Sequence, residues 1–287
     1  MKIILAVVFT FISGTALFAQ SSILWEISRE GLPGKSYLMG TLKFTGEKEY
    51  SLPANVQELM RQCKVFAIED EVDHHAQHEL NKAIHFSKGQ SLASVMEAAD
   101  YGRLKALFES EFGVSGSSFD GKYAHIKPLP LSILMTRLSL REKVRFFDIE
   151  LLRLAKENNL ISYSLEPIER EAEALNRFPI EDQVRALNHT VANFAQQKDE
   201  FQKLMTAYPA GDLKQMFEYS LHPTENNPVF LEEFYYKRNQ EWLPKIEKMV
   251  NEAPTFLALG LSHLEGERGL LVLLTTQGYT LKPLAVK

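Results

Sequence analysis

Short apolar runs along the chain predict buried strands that stop at polar residues. Three of these runs are Ser36–Gly40, Lys64–Ile68 and Thr255–Gly260. Runs of this length between turn residues are typical of strands buried inside a sheet. The first and third end in the same way, because a glycine is followed three residues later by a polar side chain, Lys43 or His263. This repeated pattern predicts two strand ends that supply side chains to one site.

The remaining pattern predicts a sheet that is interrupted by a long helical region. A hairpin is expected over residues 23–40, because Gly31-Leu-Pro-Gly34 in its middle is a turn signal. Strands are also expected at 161–165 and 279–284, whereas the periodicity of 74–250 is mostly helical. We therefore predict an α/β fold in a single domain, with a mixed central sheet and a large, mostly helical insertion.

The composition supports a packed core and excludes one class of partner. Of the 287 residues, 45% are hydrophobic, which is ample for a core. The formal net charge of −5 argues against nucleic acid as a partner, because phosphate binding requires a basic face. The single cysteine, Cys63, cannot form an intrachain disulfide, so the core itself must stabilise the domain.

Residues 1–19 have the pattern of a secretory signal peptide. Lys2 supplies the positive start, an apolar core follows from Ile3 to Ile12, and Ala19 precedes the expected cleavage point. The alternative is an uncleaved membrane anchor, but no charged stop-transfer flank follows the apolar run. We predict a mature domain of residues 20–287 in the periplasm or outside the cell, with no membrane span of its own.

Polar side chains at strand ends are the main candidates for chemistry. Four predicted strands are followed by such a group, namely Lys43, Glu69, Glu166 and His263. Because strand ends in an open α/β sheet line one crevice, we expect Lys43, Glu69 and His263 to share a pocket. A carboxylate beside a histidine suits acid–base catalysis or metal binding. Alternatively, Glu69 pairs with a lysine or arginine and only holds two elements together.

Two other groups have both a functional and a structural interpretation. A helix is predicted from Val229 to Val250, kinked or broken at Pro244. It carries Arg238, which could bind a carboxylate or phosphate or form a structural ion pair, and Trp242, which we place in the core. Elsewhere, the pair His74 and His78 stands at helical spacing for one metal ion. The polar sequence around this pair instead predicts a solvated surface helix.

Several short motifs, taken in order, resemble a known family. They include the strand 36–42, Ile68-Glu69, Leu165-Glu166, Arg238-Asn239 with Trp242, and Gly260-Leu-Ser-His263-Leu-Glu-Gly266. No single motif is specific, but their order and the last motif resemble the TraB/GumN family over nearly all of the mature chain.

The resemblance implies a metal-dependent hydrolase, with a peptide bond as the expected substrate. It assigns His263 and Glu69 to a divalent metal such as Mn²⁺, Co²⁺ or Zn²⁺, and it makes Glu69 and Arg238 catalytic. The family's first Gly-x-x-His motif falls here on Gly40-Thr-Leu-Lys43. Lysine therefore replaces histidine, and a protonated lysine has no lone pair to offer a metal.

The lysine at position 43 leaves three outcomes open. Either the metal is lost and Lys43 pairs with Glu69, or another group such as His74 and His78 completes a changed site, or Lys43 itself acts as a base. A metal-dependent hydrolase is thus the first interpretation. Its rival is a non-catalytic protein that keeps the cleft to bind a peptide or small molecule.

Overall fold

The computed structural model describes residues 22–220 and 227–286, so the predicted signal peptide at 1–19 lies outside the described residues. The strands are β1 (Leu24–Ser28), β2 (Ser36–Thr41), β3 (Thr45–Gly46), β4 (Val65–Ile68), β5 (Val144–Arg145), β6 (Ile161–Ser164), β7 (Thr255–Gly260) and β8 (Thr280–Pro283). The α-helices are α1 (Val56–Arg61), α2 (His74–Ile84), α3 (Leu92–Val95), α4 (Ala98–Phe112), α5 (Gly116–Lys122), α6 (Pro128–Ser139), α7 (Phe147–Glu157), α8 (Ile168–Arg177), α9 (Ile180–Ala192), α10 (Phe194–Ala207), α11 (Leu213–Ser220), α12 (Pro228–Phe230), α13 (Lys237–Glu252) and α14 (Leu270–Thr276). Single 3₁₀ turns lie at Tyr208–Ala210 and Leu261–His263, and a π-helical turn lies at Leu231–Tyr236.

Six strands form one mixed sheet in the order β6-β4-β7-β2-β1-β8. The four strands β6, β4, β7 and β2 are parallel to one another, whereas β1 is antiparallel to both β2 and β8. The predicted hairpin, the strand near 161 and the C-terminal strand are therefore confirmed. The short strands β3 and β5 form a separate two-stranded sheet.

The centre of the sheet is the core of the protein. All six residues of β2 are buried, as are the first five of β7, because strands covered on both faces must be apolar along their whole length. Most of the helices lie between β4 and β7 in the chain, and several of them pack around a second apolar cluster that includes Phe108 and Phe119. The α/β class with a large helical insertion is thus confirmed. None of the described helices combines the length and the apolar character needed to cross a membrane.

The helical stretch that carries Arg238 differs from the prediction at one point. The sequence predicts a kink or a break at Pro244, but helix α13 continues through this residue, so it is not broken there. Proline removes the hydrogen bond to the carbonyl four residues earlier, but Gln240 is exposed, so water can satisfy that carbonyl. The irregularity falls instead at the π-helical turn 231–236, which precedes α13 directly.

Candidate functional site

The predicted strand ends meet at one edge of the sheet. In the parallel pairings, Thr41 lies opposite Gly260 and Ile68 lies opposite Ala258, so β4, β7 and β2 end at the same level. The residues that follow them line a cavity of about 360 Å³, which we call the strand-end cleft. Among its lining residues are Lys43, Glu69, Asp148, Glu171, Arg238 and His263. The structure therefore brings together the side chains at positions 43, 69, 238 and 263.

Glu69 is held in place from two sides. Its Oε1 accepts a hydrogen bond from the backbone N–H of Gly260, and its Oε2 accepts one from Arg238 Nη2 at 3.3 Å. A Cβ atom at position 260 would lie 2.8 Å from Glu69 Oε1, which explains the glycine at the end of β7. Burial alone would raise the pKa of Glu69, but interactions with His263, Arg238 and Lys43 and the hydrogen bond from the Gly260 amide outweigh it and lower the pKa. The carboxylate is therefore ionised.

Arg238 is the centre of a buried ion-pair network beneath the cleft. Its Nε donates to Glu166 Oε1 at 2.8 Å and its Nη1 donates to the Phe234 carbonyl at 3.1 Å. Asp70 Oδ1 lies 3.6 Å from Nη2. Trp242 Nε1 donates to the second Glu166 oxygen at 2.7 Å. Arg238 and Glu166 are only 3% and 4% exposed, and buried charges need such partners. Glu166 thus fixes Arg238 from behind, and Trp242 belongs to the core as predicted.

The hydrogen bonds of Asn239 fix the tautomer of His263. Asn239 Nδ2 donates to the backbone carbonyls of His263 at 3.1 Å and Arg268 at 3.0 Å, so its Oδ1 must face the imidazole. That Oδ1 lies 2.7 Å from His263 Nδ1 and can only accept, so Nδ1 carries the proton. The lone pair is then on Nε2, which faces Arg238 Nη1 at 3.5 Å and Glu69 Oε2 at 3.9 Å.

The imidazole of His263 is kept neutral by its surroundings. Burial, with a smaller contribution from the charge of Arg238, lowers the pKa of His263 to about 3, although Glu69 opposes the shift. The ring also packs against Trp242, with centroids 4.4 Å apart, and edge-on to Tyr235 at 5.0 Å. A neutral ring with its lone pair on Nε2 can accept a proton or a hydrogen bond but cannot pair as a cation with Glu69.

We predict that His263 remains in the neutral Nδ1–H form from pH 8 down to about pH 4. The pKa of His263 in the folded protein lies below that of an unfolded histidine, about 6.5. The neutral ring therefore contributes fully to stability above about pH 6.5, and this contribution is lost as the pH falls toward 3. Nitrogen-15 NMR of the imidazole measures this directly. His75 is the internal control, since its hydrogen bond to Glu169 raises its pKa. A midpoint for His263 between pH 6 and 7 would contradict the assignment.

Lys43 pairs with a different carboxylate from the one expected. Its Nζ lies 3.7 Å from Glu171 Oε1, whereas Glu69 is bound by Gly260 and Arg238. The predicted Lys43–Glu69 pair is therefore wrong, because Arg238 already occupies the open side of Glu69. Glu171 raises the pKa of Lys43, so the ammonium stays protonated. This argues against Lys43 as a general base.

Two further carboxyl groups adjoin Lys43. Burial and the charge of Glu171 raise the pKa of Asp70, whereas the charges of Lys43 and Arg238 and a side-chain hydrogen bond with Asp70 lower the pKa of Glu171 to about 2. Burial raises the pKa of Asp148 to about 6. At neutral pH Glu171 and Asp148 are therefore ionised, whereas the raised pKa of Asp70 favours its protonated form.

The histidine pair at 74 and 78 does not contribute to the cleft. Both residues are exposed on α2, and neither lines the cavity. His78 Nε2 lies 3.9 Å from Glu79, and the neighbouring His75 pairs with Glu169 at 2.8 Å. The prediction of a solvated surface helix is confirmed, and the alternative in which this pair completes the site is wrong.

The walls of the cleft are largely apolar and aromatic. One wall comes from the π-helical turn, where Phe234 stacks on Phe230 with centroids 4.3 Å apart and Tyr235 lies beside it. At the other end, Phe44 packs against Phe201 at 5.5 Å. π-helical turns are rare and are often found at functional sites. The sequence Leu-Glu-Glu-Phe-Tyr-Tyr gave no sign of this turn, so the aromatic wall was not predicted.

The side chains of the cleft do not fit a divalent metal ion. Within residues 22–220 and 227–286, no three His, Cys, Asp or Glu side chains are grouped so as to hold one. The two ligands that the resemblance implies, Glu69 and His263, both accept hydrogen bonds from Arg238. An ion between them would meet this guanidinium and the ammonium of Lys43, and like charges repel strongly in a buried site. The arrangement therefore supports no metal-dependent step.

Fold and site together define an α/β protein whose parallel strands end at a cleft built over a buried ion-pair network. The chain belongs to the TraB/PrgY/gumN family, whose sequence model matches residues 23–283. This match covers nearly the whole chain and confirms the resemblance found from the motifs. No curated protein and no solved structure matches the chain.

Proposed function

We propose that this chain is a ligand-binding member of the TraB/PrgY/gumN family that works without a metal ion. The observation that carries the proposal is the position of Arg238. Its guanidinium donates to Glu69 Oε2 at 3.3 Å and to His263 Nε2 at 3.5 Å, and Glu166 holds it there at 2.8 Å. The two groups that would bind a metal are therefore satisfied by a fixed cation of the chain itself.

The shape and lining of the cleft support binding of a small molecule or a peptide segment. Its volume of about 360 Å³ lies in the range of roughly 300–1,000 Å³ that is typical of ligand pockets. Apolar walls bury the body of a ligand, and a few charged groups at the base fix its orientation. We further propose that binding takes place in the periplasm or outside the cell, since residues 1–19 have the pattern of a signal peptide.

One observation favours a second candidate, a metal-dependent peptidase. His263 offers a lone pair at Nε2, and the ionised Glu69 Oε2 lies 3.9 Å away, so two unprotonated donors face the same point. This candidate requires Arg238 to leave both of them, and Glu166 and Trp242 resist that movement through the buried hydrogen bonds of the network.

Two measurements on the purified protein test the proposal. We expect no hydrolysis of a mixture of internally quenched peptides, with or without added Mn²⁺ or Co²⁺. We also expect a neutral naphthalene dye to bind the cleft and to be excluded by Ile133→Glu, which places a charge in the apolar wall. The control is Val272→Glu, because Val272 is 45% exposed and Ile133 is 50% exposed, but only Ile133 lines the cleft.

For each of the two measurements, one outcome would overturn the proposal. Metal-dependent cleavage that disappears in Glu69→Gln would overturn the proposal in favour of the peptidase. Dye binding that is absent, or that both glutamate variants reduce equally, would also overturn it.

A further inference from the structure

The cleft contains more negatively charged than positively charged side chains. Two cationic side chains, Lys43 and Arg238, line it together with four carboxylates: Glu69, Asp148, Glu171 and Glu200. Arg238 is engaged by Glu69 and Glu166, and Lys43 lies beside Glu171. Glu200 accepts a hydrogen bond from Gln196. Carboxylates therefore exceed cations in the cleft, and one of them is without a partner.

Asp148 is that carboxylate. In the described ranges 22–220 and 227–286, neither a hydrogen bond nor an ion pair joins its side chain to another residue, although Lys43 acts on it from a distance. It lies at the first turn of α7 and lines the cleft. A half-buried carboxylate costs free energy unless a donor or a cation compensates it. Asp148 is thus available to a positively charged group that enters from the cleft.

Two more buried acceptor atoms in the same cleft accept no hydrogen bond, Glu171 Oε2 and Gln197 Oε1, although the other oxygen of Glu171 pairs with Lys43. Gln197 Nε2, by contrast, donates to Thr190 at 3.3 Å. No nitrogen donor lining the cleft is left buried and unpartnered among the described residues. The groups still to be satisfied are therefore acceptors, and a ligand that satisfies them must donate hydrogen bonds.

Aromatic rings lie close in the chain to Asp148 and Gln197, two of the residues that carry these acceptors. Phe44 packs edge-on to Phe146, two residues before Asp148, with centroids 6.2 Å apart, and it tilts against Phe201 at 5.5 Å. Phe201 is one turn from Gln197 on α10. Phe44 thus contacts rings that lie within one turn of each of these two acceptors along the chain, Phe146 before Asp148 and Phe201 after Gln197. The face of an aromatic ring attracts an ammonium group, and its edge packs against apolar carbon.

We propose that the ligand of the strand-end cleft is a primary amine on an apolar body, whose ammonium group pairs with Asp148 and donates to Gln197 Oε1. The proposal rests on the proposed binding function and names the ligand class of that same site. An ammonium group supplies three donors and a positive charge. Two sources share this chemistry, a small alkyl or aryl amine and the free N-terminus of a peptide with apolar first residues.

Displacement of the neutral naphthalene dye at pH 7.5 tests the proposal. The competitors are hexylamine, hexanol and hexanoate, which differ only in the polar end, and a Leu-Leu-Leu peptide with a free or an acetylated N-terminus. We expect hexylamine to bind at least tenfold more tightly than hexanol, and hexanoate to bind least. A tenfold preference of the free peptide over the acetylated one would assign the peptide source, and its absence would assign the small amine.

Variants decide whether Asp148 is responsible. In Asp148→Asn we expect the affinity for hexylamine to fall to that for hexanol while the dye still binds. Gln197→Leu should reduce the preference for hexylamine over hexanol in part. Glu157→Gln, at the exposed end of the same helix α7, should leave the preference unchanged.

Failure of this inference can be told from failure of the binding function. If the dye binds and Ile133→Glu excludes it, but hexylamine does not exceed hexanol or hexanoate binds best, only the amine proposal is overturned. If Asp148→Asn keeps the full preference, the assignment to Asp148 is overturned. If the dye does not bind at all, both proposals fail.

Discussion

Replacing Glu166 by leucine is expected to lower the free energy of unfolding by about 3–5 kcal/mol. Glu166 is 4% exposed and accepts from both Arg238 and Trp242, at 2.8 and 2.7 Å. Leucine has a similar volume, so the change leaves little empty space. It removes both acceptors, and the Trp242 N–H and one edge of the buried Arg238 guanidinium are left without a partner. Removing one partner of a buried ion pair costs this much because the remaining charge is not compensated.

Urea unfolding followed by circular dichroism measures this change, with Glu241→Leu as the matched control. Glu241 precedes Trp242 on α13 and binds Arg170 with two hydrogen bonds, at 2.8 and 3.1 Å, but its side chain is 49% exposed. The Arg170 side chain is only 12% exposed, so this pair is worth more than a fully exposed one but less than a fully buried one, and the control should lose clearly less stability than Glu166→Leu. A loss below about 1 kcal/mol for Glu166→Leu would show that the network does not hold Arg238 in place.

The second large effect is expected from Lys43→His. The substitution removes an ammonium group from the cleft and adds an imidazole with a lone pair, on the strand end that adjoins the one leading to His263. The introduced imidazole, Glu69 and His263 would form a three-ligand set of the kind that suits Zn²⁺. Arg238 still donates to Glu69 and His263 at 3.3 and 3.5 Å and opposes the ion, but the second cation, the Lys43 ammonium, is gone. We expect affinity for Zn²⁺ to rise at least about tenfold over the native chain, or about 1.4 kcal/mol.

Isothermal titration calorimetry with Zn²⁺ checks the second prediction. Lys43→Gln is the control for charge, because it removes the ammonium group without supplying an imidazole, and it should gain little. The double variant Lys43→His, His263→Ala should lose the added affinity. Equal gains in Lys43→His and Lys43→Gln would mean that repulsion alone keeps metal away. No gain in either variant would mean that Arg238 is sufficient to exclude it.

The position of the site could be predicted from the sequence because parallel strands align their carboxyl ends. The apolar runs that end at Gly40, Ile68 and Gly260 predicted three buried strands, and the register of the sheet places their ends at one level. The glycine at the end of β7 was equally informative, because a side chain at this position would collide with the Glu69 carboxylate. Periodicity and local chain geometry are sufficient for such features.

The partners of the charged groups could not be predicted in the same way. Glu171 is separated from Lys43 by more than one hundred residues, and nothing in the local pattern around either residue links them. Asn239 was visible in the motif Arg238-Asn239, but only its two bonds to backbone carbonyls reveal that it sets the tautomer of His263. Ion-pair choice depends on which groups the tertiary fold leaves open, and that information is not local.

We propose that Arg238 occupies the place between Glu69 and His263 where the family resemblance implies a metal ion. The most direct test is an anomalous difference map from a crystal of the native protein soaked in Zn²⁺, recorded at the zinc absorption edge. We predict no peak in the strand-end cleft, and a guanidinium within hydrogen-bonding distance of both side chains. A peak about 2.0–2.1 Å from His263 Nε2, with Arg238 displaced, would contradict the account.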